Sequence, residues 1–163
     1  CPGPFDPDTG LSLYAVNMGA NWREINLRAE TARRISFDVP VFAENDVNAG
    51  GLGEAVFGIG RQYSDFVFST VGTGLGGCAV VGGRVLRGTR FAAMEIGHIV
   101  YEPEGRVGDF GLRGTTEMYI SGKGFSAGYH QHAPHYPNSS LMQHASVSVQ
   151  HILEAARTED WHD

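Results

Sequence analysis

The sequence predicts an α/β protein, and three observations carry that prediction. Short segments rich in Val, Ile and Phe alternate with segments whose apolar residues recur at helical spacing. Glycine turns separate several of the apolar segments, with 23 Gly in 163 residues and no collagen-like period. Hydrophobic residues make up 42% of the chain, enough for a packed core and too many for a disordered one.

Pro-Gly-Pro, Asp-Pro and Thr-Gly in residues 1–10 supply turn chemistry, and Leu11, Leu13 and Tyr14 follow as a short strand. Asn26 to Ile35 reads as a helix with one apolar stripe of Leu27, Ala29, Ala32 and Ile35. Val39 to Ala43 reads as a short buried strand with Pro40 near its start. Asn45 and Asp46 are strong helix caps, so Val47 to Phe57 reads as a helix. Gly50, Gly51 and Gly53 weaken that helix, which predicts close packing against their face.

Further along, Asp65 to Val71 is a strand, Gly72 to Gly77 a tight glycine turn, and Cys78 to Val81 the returning strand. Gly82-Gly83 is a hairpin turn leading to a strand over Arg84, Val85 and Leu86. A strand is expected over Ile96 to Tyr101, a glycine-rich loop over 103–114 and a short helix over Thr115 to Ile120. An irregular loop is expected over His130 to Ser140, and a helix over Gln143 to Arg157. The change of style near residues 60–64 suggests two lobes, residues 1–62 and 63–163.

Charge and cysteine usage exclude several classes. Asp and Glu outnumber Lys and Arg by 18 to 12, a formal net charge of −6, which argues against nucleic-acid binding by this chain. No apolar run reaches the roughly 18 residues of a membrane span. Cys1 and Cys78 cannot build a disulfide framework, so a reducing, cytoplasmic setting is the expectation. A mature lipid-anchored protein could begin with Cys, but Cys1-Pro2-Gly3-Pro4 reads as the middle of a turn. With the uncapped run Arg157 to Asp163, that suggests a segment of something longer.

Three motifs could carry chemistry. Gly72-Thr73-Gly74-Leu75-Gly76-Gly77 lies between two strands, where converging backbone N–H groups can hold phosphates. It is neither a Walker A loop, lacking the following Lys-Ser/Thr, nor a dinucleotide fingerprint, since a strand follows it. On its own it reads first as a plain turn. Glu44-Asn45-Asp46 puts carboxylates at the end of the expected 39–43 strand, leading into a helix, where they either face a cleft or merely cap the helix. Glu95-Ile96-Gly97-His98, with Glu117, could read a ring of hydroxyls or be a surface acid with a satisfied histidine.

In order, Pro2-Gly3-Pro4, Glu44-Asn45-Asp46, Gly72 to Gly77, Glu95-Ile96-Gly97-His98 and Gly111-x-x-Gly114-x-x-Glu117 resemble the ROK family of sugar kinases and sugar-responsive repressors. The resemblance runs from Pro2 to about Ser121. It implies an actin-like ATPase (ribonuclease H-like) fold of two α/β lobes, here truncated at both ends. It implies Mg-ATP-dependent phosphorylation of a hexose, glucose or a close relative, at a hydroxyl, usually the 6-hydroxyl.

By the same resemblance Asp46 is the catalytic base. Gly3, Asn45, Glu95, His98 and Glu117 bind the sugar, and Gly72, Thr73, Gly74, Gly76 and Gly77 hold ATP phosphates. The parent is expected to be a homo-oligomer. The family's first phosphate loop, Asp-x-Gly-Gly-Thr, would lie upstream and its adenosine segment downstream, so these 163 residues alone should turn over little.

The sequence departs from the family at its zinc motif, a His followed by Cys-x-Cys-Gly-x-x-Gly-Cys-x-Glu. The three cysteine positions are Gly108, Phe110 and Thr115, none a usual zinc ligand, so no zinc is expected and packing around Phe110 is a candidate substitute. His130, His132 and His135 read as solvated loop residues before a metal site. The rival function is the sugar-sensing domain of a ROK repressor. The intact Asn45-Asp46 pair and glycine turn favour the kinase over it. A third reading, kept open by the loss of the zinc cysteines, is a non-catalytic sugar-binding remnant.

Overall fold

The structure, a computed structural model, describes residues 1–14, 18, 22–36, 38–108 and 111–158. The expectations placed on Phe110 and on the terminal residues 159–163 therefore lie outside the described residues. The chain forms two compact units: residues 1–69 with 76–95, and residues 70–75 with 96–163.

The first unit opens with an antiparallel sheet of β1 (Phe5–Asp6), β2 (Leu11–Tyr14) and β3 (Arg23–Asn26). Phe5 pairs with Ser12 and Ser12 with Ile25, which fixes the register. The β1–β2 turn is closed by Asp6, whose carboxylate accepts from Asp8 N at 2.9 Å and Thr9 Oγ1 at 2.6 Å. The Thr9 hydroxyl, more than any other partner, holds the Asp6 carboxyl below the usual range. Helix α1 (Leu27–Arg34) follows, its first turn capped by Asn26.

Helix α2 (Asp46–Val56) is capped by Asn45, whose side chain accepts from Val47 N and Asn48 N. Its glycine face packs as the sequence predicts at two of three positions. A Cβ on Gly51 would stand 2.5 Å from Cys78 Sγ, and one on Gly50 2.7 Å from the Phe68 ring; Gly53 meets nothing within 4 Å. Phe5, Cys78, Ala79 and Val80 are the buried hydrophobic residues among those described. Burial, then the Glu44 carboxylate, pushes the Cys78 thiol up, so it is a packing group and not a nucleophile.

A second sheet has the order β4 (Phe66–Val71), β5 (Leu75–Val81), β6 (Arg84–Val85). Gly82 and Gly83, at φ +56° and +72°, make the two-residue turn between β5 and β6 that other residues adopt only with strain. The glycine turn is shorter than expected: β5 already begins at Leu75, so Gly76 and Gly77 are strand residues.

In the second unit, 3-10 turns at Ile96–His98 and Thr116–Met118 precede α3 (Gly122–His132) and α4 (Val149–Arg157). Ser121 caps α3, accepting from Gly124 N at 3.0 Å. Ser148 caps α4 in a reciprocal box with His151. No helix among the described residues is long and apolar enough to cross a membrane.

Four expectations are corrected. Residues 39–43 form no strand: Pro40 lacks a donor, no described strand pairs with them, and Phe42 is 87% exposed. Ile96 to Tyr101 is not a strand but a 3-10 turn followed by a single bridge, Val100 to Thr115. Residues 130–140 are not irregular: α3 continues to His132, and 3-10 turns follow at Ala133–His135 and Ser140–Gln143. The last helix starts at Val149 instead of Gln143, because the Ser148 cap ends the preceding loop.

The packing of α2 generates a paired prediction. Gly51→Ala should lower thermal stability, since overpacking costs about 1–3 kcal/mol against a helix gain of about 1. Gly53→Ala, in open space, should raise it by about 1 kcal/mol. Melting curves of the two variants beside the wild type check both signs.

Candidate functional site

Glu44-Asn45-Asp46 turns the chain into α2, and the first unit holds this corner from two sides. Asn45 Nδ2 donates to Gly3 O at 3.1 Å and Cys1 O at 3.4 Å, while its Oδ1 caps the helix. The structure thus joins two expected sugar residues, Gly3 and Asn45, and spends the Asn45 amide on backbone. Asp46 N donates to Cys1 O at 3.1 Å, which fixes the backbone beneath the Asp46 side chain. That side chain is exposed at the first position of α2, and its carboxylate has no hydrogen-bond partner among the described residues.

Sequence reasoning singled out Glu44 but missed Arg87, its partner in fixing this corner. Glu44 accepts from Asn45 N at 3.0 Å, from Asn48 Nδ2 at 3.4 Å and from Arg87 Nε at 2.9 Å, with a second Arg87 contact through Nη2. Arg87 lies 43 residues from Glu44, and no local pattern announces such a pair. Glu95, exposed, closes the first unit.

In the second unit the glycine turn is built around Glu117. Glu117 Oε2 accepts from Leu75 N at 2.9 Å. A Cβ on Gly74 would stand 2.3 Å from that oxygen, and one on Gly97 would stand 2.4 Å from Leu75 O, so both positions must be bare. Gly72 N donates to Gly74 O at 2.9 Å, and Gly72 O accepts from Gly122 N at 2.8 Å. These bonds leave the N–H groups of Thr73 and Gly74 without a partner among the described residues, at an exposed to half-buried tip. Such a pair of bare N–H groups suits an anion.

Beside the tip lies a cavity of about 1130 Å³, lined by Gly72, Thr73, Lys123, Phe125, His130 and Leu153 among others. Its walls are mostly apolar with a few polar groups, the lining of a small-molecule pocket. His98 is exposed on the 3-10 turn beside Gly97.

The zinc motif does not fit a metal. Gly108 offers no ligand, and Thr115 is 3% exposed with a side chain zinc does not select. Among the described residues no three His, Cys, Asp or Glu side chains are gathered to hold an ion, and this includes His130, His132 and His135.

Comparison with known proteins places the chain. The ROK family pattern matches residues 1–162. The glucokinase of Thermotoga maritima is 34% identical over 163 residues, covering 98% of this chain and 50% of that protein. The xylose repressor of Bacillus spizizenii is 30% identical over 159 residues, covering 98% of this chain and 37% of that protein. The crystal structure of a ROK family glucokinase from Streptomyces griseus in complex with glucose and AMPPNP superposes with a TM-score of 0.83 at 34% identity, covering 97% of this chain and 52% of that one. The chain thus spans at most about half the length of these relatives, and within that span its fold is the actin-like fold of the sugar kinases. A kinase and a repressor align along almost the same residues, and what they share with this sequence is the family pattern, so the chain belongs to the ROK family.

Proposed function

We propose that the full-length protein transfers the γ-phosphoryl group of Mg-ATP to a hexose hydroxyl, the 6-hydroxyl of glucose or a close relative. The observation that carries this reading is the Asp46 carboxylate, exposed and unpartnered on a backbone fixed by hydrogen bonds. A sugar hydroxyl is a weak nucleophile. Asp46 orients it and accepts its proton as the oxygen–phosphorus bond forms and the bond to the ADP oxygen breaks.

In the same reading Gly3, Glu95, His98 and Glu117 serve the sugar directly, and Asn45 serves it by holding Gly3 in place. Glu117 Oε2 is committed to Leu75, and Oε1 is the oxygen left for a hydroxyl. Gly72, Thr73, Gly74, Gly76 and Gly77 serve the phosphates, with the free N–H groups of Thr73 and Gly74 at the contact. Mg²⁺ arrives with the nucleotide as part of the substrate. The reading includes no resident zinc, a lobe division at residues 62–63, a cytoplasmic homo-oligomer, and no nucleic acid bound by this chain.

The xylose repressor relative supports a second reading, a sugar-sensing domain without turnover. Asp46→Asn in the full-length protein separates the two. For a kinase, kcat should fall about 10²- to 10⁴-fold with hexose binding retained. Near-normal kcat in the variant would remove Asp46 from the base role. Hexose binding with no ADP release by the wild type on any hexose would favour the sensor.

A second substitution tests the glycine tip. Gly74→Ala forces the Glu117 carboxylate off the Leu75 N–H, a charged hydrogen bond of about 1.5–3 kcal/mol. The Michaelis constants for ATP and hexose should rise together by about tenfold, measured by initial rates at varied concentrations of each.

A further inference from the structure

We propose that Arg106 is the positioning residue for Glu117, holding residues 102–108 and 111–119 on α3 without a metal. The hydrogen bonds converge on its guanidinium. Arg106 Nη1 donates to Met118 O at 3.0 Å and to Gly124 O at 3.1 Å. Nε and Nη2 both donate to Gln131 Oε1, at 3.1 and 2.8 Å. One side chain therefore ties the residue after Glu117 to the first and last turns of α3.

The ring of Tyr119 completes the clamp. The Arg106 Cζ lies 4.9 Å from its centroid, a cation–π contact. The Tyr119 hydroxyl accepts from Arg106 N at 3.0 Å and donates to Glu102 Oε2. That bond to Glu102 is the main reason the hydroxyl sits above the usual tyrosine range, so it stays a donor. Ser121 Oγ adds a bond to Glu117 O at 2.6 Å. Glu117 is thus gripped on its own carbonyl and on the next one, and its carboxylate is aimed at Leu75 N. A metal could brace this segment only through ligands, and Gly108 and Thr115 supply none. Lys cannot replace Arg here, because the planar fork serves divergent acceptors while stacking on a ring.

The test uses the full-length protein after EDTA treatment, with hydrogen exchange as the deciding readout. In Arg106→Ala, amides in 101–108 and 111–119 and that of Leu75, which donates to Glu117, should exchange about tenfold faster, with residues 76–81 of β5 unchanged. EDTA alone should leave the wild-type exchange unaltered. The inference also rests on the sugar-kinase reading for its second readout: the hexose KM should rise about tenfold while kcat falls less than about threefold, and Arg106→Lys should not rescue it.

Tyr119→Phe keeps the ring and removes only the hydroxyl links. It should loosen the same amides, and it decides the matter if Arg106→Ala does not fold. Wild-type exchange in the variant that folds, loosening of the wild type by EDTA, or rescue by Lys would each overturn the proposal. If no hexose is bound or phosphorylated but the exchange result holds, the functional reading fails and the clamp stands.

Discussion

The Glu117 carboxylate accepts the Leu75 N–H at 2.9 Å across 42 residues of chain, and the second unit is arranged so that it can. Gly74 and Gly97 have no side chains because the carboxylate and the Leu75 carbonyl occupy the space a Cβ would take. The turn closes on itself through Gly72 and Gly74 and is tied to the start of α3 through Gly72 and Gly122. What remains bare at the tip, the N–H groups of Thr73 and Gly74, is a consequence of where the other bonds go. The same carboxylate that shapes the turn has its second oxygen without a hydrogen-bond partner among the described residues.

The first unit follows a parallel logic at the start of α2. Asn45 is both helix cap and tether to the segment containing Gly3, and Glu44 is held by Asn48 and Arg87. Three consecutive polar residues have three different duties. Two of them are consumed by structure, and Asp46 is the one whose side chain is left open to solvent. Its neighbours carry the structural bonds, and the Asp46 carboxylate is in no ion pair among the described residues.

Much of this was legible in the sequence because the signals are local. The cap at Asn45, the Gly82-Gly83 turn and the alternation in Phe66–Val71 depend on a few adjacent residues, and each stands where expected. The glycine face of α2 was legible as a steric demand, although its partners, Phe68 and Cys78, were not. Where tertiary hydrogen bonding decides, local reading failed. Residues 39–43 have strand composition but no paired neighbour, and Ile96–Tyr101 is folded into a turn by contacts to residues 114–116. Helix α3 carries Gly122, Gly124 and Gly128, poor helix formers. It is held by its Ser121 cap, a local signal, and by Arg106, whose bonds no propensity shows.

The sequence by itself determined the α/β class, the family and the set of polar residues with the right chemistry, because these rest on residue types and their order along the chain. Only the tertiary structure decided which of those residues are spent and which are available. Asn45 and one oxygen of Glu117 are committed to backbone; the Asp46 carboxylate and two turn amides are not. It also supplied Arg87 and Arg106, whose partners lie up to 43 residues away. The physical reason is that a hydrogen bond is satisfied in space. A sequence records donors and acceptors, and folding chooses the pairs.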